Sequence, residues 1–198
     1  MHSKRDFVAT ALALGAAGAA GGCASAGRAV GGARAAPALL TLTGAVRANR
    51  GPLDKALDQM LAKHQITFER AHAFDFAALT ALPARQMRPT LEYDARPHTL
   101  RGPLLADVLA AAGAPVDNAA LPLALRAIDG YTVPITLGDA RRLGLIVATH
   151  LDGAPMPLGG LGPLWAVLDA DRIPELAAKP LAERFAQCPW GLYHVAVG

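Results

Sequence analysis

The sequence predicts an α+β fold: a single domain of mixed or mainly antiparallel sheets with short helices. Three observations lead to this prediction. Short β-rich segments with alternating apolar residues recur along the chain. Two Asp-Gly pairs, Asp129-Gly130 and Asp152-Gly153, are typical of two-residue hairpin turns. Short helical patterns lie between these segments, which together favour an α+β domain.

The first half of the chain contains predicted strands at 39–46, 66–73 and 85–93. A helix is predicted to begin at Gly51-Pro52, because apolar residues follow at helical spacing. Its apolar face consists of Leu53, Ala56, Leu57, Met60 and Leu61. Asp75 is the predicted N-cap of a second short helix, which Pro83 stops.

The clearest helical pattern is predicted to begin at Gly102-Pro103, since Pro is favoured in the first turn of a helix. Its buried face consists of Leu104, Leu105, Val108 and Leu109. Gly113 is the predicted C-cap. The second half then contains predicted strands at 121–128, 131–136, 145–151, 162–168 and 190–197, with helical segments at 138–143 and, interrupted near Pro180, at 174–185.

Residues 1–26 predict an export signal. Lys4 and Arg5 precede an uncharged run at 7–22 that is shorter than a membrane-spanning helix needs. Two cleavage sites are open: a lipobox-like Ala20-Gly21-Gly22-Cys23, which leaves a lipidated Cys23, and an A-x-A site at 24–26. Residues 3–8 also resemble a twin-arginine signal with Lys in place of the first Arg. The expected location is the periplasm or cell envelope, with a flexible tether at 27–38 and the domain at 39–198.

Charge and cysteine content exclude several classes of protein. The formal net charge is +3 and no run of five or more basic residues occurs, so nucleic-acid binding has little support. The two cysteines, Cys23 and Cys188, cannot build a disulfide framework. The six histidines show no close metal-ligand spacing. Cys188 is expected to be a buried, inert thiol, with bonding to a partner or an unexpected thiolate as the alternatives.

An ordered series of short motifs runs through the chain. It consists of Thr43-Gly44, residues 79–83, Thr99-Leu100-Arg101-Gly102-Pro103-Leu104-Leu105, Asp107-Val108-Leu109, Gly113, Asp129-Gly130-Tyr131, Pro134, Asp152-Gly153, Met156-Pro157 and Gly162-Pro163-Leu164-Trp165. The series resembles the oxidoreductase molybdopterin-binding domain, which has the catalytic-domain fold of sulfite oxidase. It is similar in particular to a short exported branch of that superfamily, and the resemblance covers residues 39–197.

Where the resemblance implies a molybdenum site, this chain departs from the pattern. Tyr93, or a neighbour, stands where the family has its metal-binding cysteine, and Trp165 replaces an arginine. The segment 191–194 lacks the usual phosphate-binding lysine, and the region before the first strand offers only Arg28 and Arg34. The resemblance therefore implies a domain that retains the fold without molybdenum chemistry. The cofactor, if any, is unknown, and molybdopterin is the one that the resemblance allows.

The strongest candidate ligand site lies at 94–101. Arg96, His98 and Arg101 place positive charge beside the helix predicted at Gly102, an arrangement that favours an anion. A solvated basic loop is the alternative. Tyr93 and Trp165 are further candidates for the wall of a pocket; otherwise Tyr93 is a surface residue and Trp165 a core residue.

The sequence thus predicts an exported protein that binds a small anionic ligand or a protein partner at the cell envelope, without catalysis. A molybdopterin-dependent oxidoreductase with an atypical cofactor site is the main alternative, and a structural envelope lipoprotein is a third. Contact with a membrane is expected only through a lipid anchor.

Replacing Cys23 tests the lipobox. We expect Cys23→Ala to move the protein from the membrane to the soluble fraction, because the several acyl chains of a lipoprotein supply stable anchoring. Cell fractionation measures this change. Unchanged membrane retention, with cleavage mapped after Ala26, would contradict the lipobox.

Overall fold

Three β-sheets form the framework of the protein, whose structure is a computed structural model that describes residues 36–198. The strands are β1 (Leu40–Gly44), β2 (Ala71–Phe74), β3 (Ala84–Met87), β4 (Leu100–Pro103), β5 (Pro122–Ala127), β6 (Thr132–Thr136), β7 (Ile146–Ala148), β8 (His150–Leu151), β9 (Ala154–Pro155), β10 (Trp165–Val167) and β11 (Leu192–Val197). The α-helices are α1 (Gln59–Lys63), α2 (Phe76–Thr80), α3 (Leu105–Ala111), α4 (Leu137–Arg142) and α5 (Pro174–Ala177).

The largest sheet has five strands in the order β2-β1-β11-β5-β6. Its β1–β11 pair is parallel, and its other pairs are antiparallel. Smaller sheets have the orders β3-β4-β8-β9 and β10-β7, with antiparallel pairing throughout. The predicted α+β class with mixed and mainly antiparallel pairing is confirmed for the described residues.

Alternating residues of the large sheet supply the main core. Leu40 and Leu42 of β1, Leu125 of β5 and Val195 of β11 are all fully buried. They belong to the same cluster as the buried face of α3, which consists of Leu105, Val108 and Leu109. The period-2 pattern of the strands and the 3.6-residue pattern of the helix therefore meet in one apolar layer.

Several local signals are confirmed. The Asp75 carboxylate accepts a hydrogen bond from the Ala78 N–H at 2.7 Å and caps α2. Asp129-Gly130 forms the turn between β5 and β6, and the Asp129 carboxylate accepts from the Tyr131 N–H at 2.9 Å. Asp152-Gly153 joins β8 to β9, with both residues at positive φ.

The helix predicted to begin at Gly102-Pro103 is a correction. Both residues belong to β4, which pairs with β3 and β8, and α3 begins only at Leu105. A Cβ atom on Gly102 would overlap the Val147 carbonyl group, so the absence of a side chain permits this close approach of two backbones. Tertiary packing thus outweighs the local helix-start signal.

The helix predicted from Gly51-Pro52 is also wrong in extent, since α1 covers only Gln59–Lys63. The Asp54 carboxylate accepts from the backbone N–H groups of Ala56 and Leu57, which holds the preceding residues in a turn. Leu57 is consequently 83% exposed, and only Leu61 of the predicted apolar face is buried.

Several predicted strands have different bounds, and the strand predicted at 66–73 is reduced to β2 at Ala71–Phe74. The segment 85–93 leaves the sheet after Met87, and the following residues form a loop up to β4. The segment 145–151 divides between β7 and β8, which belong to different sheets. The export signal and Cys23 lie outside the described residues, as does most of the tether at 27–38.

Gly102→Ala tests the close approach of β4 to β7. We expect it to lower the free energy of unfolding by about 1–3 kcal/mol, because the new methyl group must displace backbone. Urea denaturation followed by circular dichroism measures this change. Gly51→Ala is the matched control, since no atom lies within contact of its added methyl group. Equal stabilities of the two variants would contradict the packing described here.

Candidate functional site

The clearest candidate site is a cleft of about 170 Å³ beside Tyr93. We call it the aromatic cleft and define it by Glu92, Tyr93, Asp129, Tyr131 and Trp190. The side chains of Tyr93, Tyr131 and Trp190 are 54%, 51% and 38% exposed, although large aromatic groups are usually buried in a core. Every exposed Phe, Tyr or Trp among residues 36–198 lines this cleft.

A tight turn presents Glu92 and Tyr93 to the cleft. The Ala95 N–H donates to the Leu91 carbonyl at 3.0 Å, and Ala95 itself has a positive φ of 55°. The N–H of Thr90 donates to the Asp171 carboxylate at 2.7 Å, which attaches the start of the loop to a distant part of the chain. The loop therefore holds its two cleft residues in a defined position.

Trp165 supports the opposite wall from behind. It is completely buried, and its indole N–H donates to the Cys188 carbonyl at 2.8 Å. Its ring lies 5.9 Å from that of Phe185 and 6.5 Å from that of Tyr93, measured between centroids. The structure therefore brings the two aromatic candidates together, but Trp165 has no exposed surface with which to contact a ligand.

The Tyr131 hydroxyl donates to the Ala186 carbonyl at 2.6 Å. This bond connects the β5–β6 hairpin to the segment that carries Cys188 and Trp190. The position of the Tyr131 ring is thus fixed by its own hydroxyl, and the ring remains half exposed at the rim of the cleft.

Cys188 lies at the buried side of the cleft with its thiol in the protonated form. Burial, together with the negative charge of Glu92, raises the pKa of Cys188 to about 12, although a backbone hydrogen bond with Leu168 acts in the opposite direction. Soft metal ions are bound by the thiolate rather than the thiol. At the position that the resemblance gives to the metal-binding cysteine, the cleft presents the phenol of Tyr93, which is not the soft thiolate that the implied molybdenum site uses.

The lining of the cleft is acidic. Glu92 and Asp129 contribute carboxylates, and none of the described lining residues is Lys, Arg or His. Partial burial and the charge of Glu92 raise the pKa of Tyr93 to about 12, so the phenol stays neutral. A phosphate group, such as the one that molybdopterin carries, finds no cationic partner in this lining.

The segment 191–194, where the family has its lysine, provides no cation either. The buried Thr43 hydroxyl and His194 Nε2 are hydrogen-bonded at 2.9 Å. Burial and the nearby positive charge of Arg126, with a smaller effect of His64, lower the pKa of His194 to about 4. This histidine is consequently neutral at physiological pH.

The anion site predicted at 94–101 stays a prediction, but the arrangement of its residues differs from the expected one. Both ring nitrogens of His98 contact carboxylates: Nε2 lies 2.9 Å from Asp94 and Nδ1 2.6 Å from Asp152. The imidazolium is thus paired on both sides. Arg101 projects from the exposed side of β4, and Arg96 is exposed on the loop. Because α3 begins at Leu105, no helix N-terminus adjoins Arg101.

Sequence reasoning missed the convergence of Glu92, Asp129, Tyr131 and Trp190. The sequence predicts Asp129 as part of a hairpin turn and Trp190 as the first residue of a strand, and neither prediction brings them together. Aromatic residues make up only 5% of the chain, and one of them directly follows the Asp129-Gly130 turn. An aromatic residue at the tip of a hairpin is the sequence signal that indicates exposure.

No family model matches the chain, and no curated protein matches it. In the described part of the chain, no helix has the length and apolar character to cross a membrane. No group of three or more His, Cys, Asp or Glu residues within 36–198 is arranged to hold a metal ion.

The pKa of His98 tests the pairing with Asp152 and Asp94. We expect an NMR titration to place this pKa above the ordinary histidine value, since both carboxylates stabilise the imidazolium. Asp152→Asn is expected to lower it, whereas Asp117→Asn, at an exposed position elsewhere, leaves it unchanged.

The same shifts set the pH range in which the pairing stabilises the fold. The contribution of His98 is complete below its unfolded pKa and is lost as the pH rises through the raised folded value. The contributions of Asp94 and Asp152, whose pKa values are lowered, are lost as the pH falls through those values. A His98 pKa at or below the ordinary value would contradict the pairing.

Proposed function

We propose that this chain is an exported, non-catalytic binding protein of the sulfite-oxidase, molybdopterin-binding type, and that its aromatic cleft holds a small molecule at the cell envelope. The observation that carries the proposal is the convergence of Tyr93, Tyr131 and Trp190, three exposed aromatic side chains, on one small cleft. Exposed aromatic groups in a concave site are typical of ligand recognition.

The position of the cleft supports the link to that family. Tyr93, which the resemblance places near the family's metal ligand, lies in the cleft together with the thiol of Cys188. The element order is compatible with the same idea, since the β5–β6 hairpin and β10 occur where the sequence predicts strands. The sulfite-oxidase-like fold remains part of the proposal.

The chemistry of the cleft supports binding rather than catalysis by molybdenum. At the position that the resemblance gives to the thiolate ligand, the cleft presents the phenol of Tyr93. The carboxylates of Glu92 and Asp129 make the aromatic cleft unfavourable for an anion. We therefore assign a ligand that is not anionic to the aromatic cleft. A protein partner at the envelope is compatible with the exposed loop around the cleft.

Analysis of the protein purified from its native envelope tests the proposal. We expect no stoichiometric molybdenum by elemental analysis, and a small molecule released on denaturation and detected by mass spectrometry. Trp190→Ala is expected to reduce the recovered molecule about tenfold or more, because stacking on one aromatic side chain contributes roughly 1–3 kcal/mol.

Leu158→Ala is the matched control, since Leu158 is an exposed apolar residue outside the cleft. Stoichiometric molybdenum would favour the oxidoreductase alternative instead. A wild-type protein that carries no small molecule, or equal recovery from the Trp190 and Leu158 variants, would contradict a ligand in this cleft.

A further inference from the structure

The aromatic cleft combines flat apolar surfaces with hydrogen-bond acceptors. Tyr93, Tyr131 and Trp190 expose ring surface, and Glu92 and Asp129 bring carboxylates, which accept hydrogen bonds when ionised. The described lining contains no Lys, Arg or His. A ligand that complements this lining has a planar ring for the aromatic groups and N–H donors for the carboxylates.

The two carboxylates are not equivalent. Asp129 uses one oxygen to accept the Tyr131 N–H and so maintains the hairpin turn. Glu92 is half-buried, and no ion pair neutralises it within residues 36–198. Its carboxylate lines the cleft and has two oxygens that can accept hydrogen bonds from a ligand. Glu92 is therefore the group available to a ligand.

We propose, on the basis of the function proposed above, that the ligand is a planar nitrogen heterocycle that presents an amino group beside a ring N–H, and that the Glu92 carboxylate accepts hydrogen bonds from this edge. Two adjacent donors match the two oxygens of one carboxylate in a bidentate pair. The rings of Tyr93, Tyr131 and Trp190 contribute stacking, which depends on the flat face of the ligand and not on its charge.

The size and charge of the cleft limit the rest of the ligand. Its volume of about 170 Å³ lies below the roughly 300–1,000 Å³ of pockets for drug-sized molecules. A small ring system is therefore a better match than a large cofactor. A phosphate group on the ligand would lie near Glu92 and Asp129 without a compensating cation, so binding of phosphorylated forms is disfavoured.

Guanine-type purines and 2-amino-4-oxopteridines both carry this edge, and matched pairs of ligands distinguish the two sources. Guanosine carries the amino group that inosine lacks. Pterin carries the amino group at the position where lumazine has a carbonyl oxygen. We expect isothermal titration calorimetry of the purified chain to detect the amino-bearing member of at least one pair. Its partner is expected to bind about tenfold more weakly or worse, because the Glu92 carboxylate loses one donor.

Two variants assign the contacts. Glu92→Gln is expected to weaken the amino-bearing ligand about tenfold and to abolish discrimination within the pair, while Glu69→Gln, at an exposed glutamate outside the cleft, changes neither. Tyr93→Leu is expected to weaken both members of the pair equally, because it removes ring surface and leaves the carboxylate. Circular dichroism checks that each variant is folded.

Several outcomes would overturn the inference: binding of none of the four compounds, equal binding within both pairs, wild-type discrimination in Glu92→Gln, or binding of choline alone. Choline represents a simple organic cation that aromatic groups attract without a bidentate edge. If a small molecule is recovered from the native protein and none of these compounds binds, the ligand class is wrong and the proposed function stands. If no molecule is recovered, the proposed function itself fails.

Discussion

The buried indole of Trp165 holds together the parts of the molecule on which the cleft depends. Its strand, β10, pairs with β7, while its N–H donates to the Cys188 carbonyl of the C-terminal segment. A buried indole N–H without an acceptor is costly, so this hydrogen bond constrains where that segment passes. The ring also lies near those of Phe185 and Tyr93, so two residues of the cleft lining adjoin one rigid group.

Ion pairs around the cleft orient the chain more than they stabilise it. The Arg184 guanidinium donates to the Asp171 carboxylate at 3.0 Å, and the same carboxylate accepts from the Thr90 N–H. Partly exposed pairs of this kind contribute little free energy. Their effect is to connect the loop before Tyr93 to the C-terminal segment. Arg184 and His98 contact carboxylates outside the cleft. The charged residues in the described lining of the cleft are acidic.

Much of the secondary structure could be predicted from neighbouring residues. The cap at Asp75, the turn at Asp129-Gly130 and the C-terminal end of α3 at Gly113 each depend on interactions within a few positions of the chain. The strand at Gly102 could not be predicted in this way. Its conformation follows from pairing with β3 and β8 and from contact with the Val147 backbone, and these contacts outweigh the local preference of a Gly-Pro pair for a helix start.

The sequence by itself determined the α+β class and the positions of the hairpin turns, and it drew attention to Tyr93. Only the tertiary structure decided that Glu92, Tyr131 and Trp190 share a cleft with it. It also decided that the charge of His98 is paired, because Asp152 lies 54 positions away along the chain. The physical reason is the same in both cases: the electrostatic character of a side chain depends on what surrounds it, and long-range contacts set those surroundings.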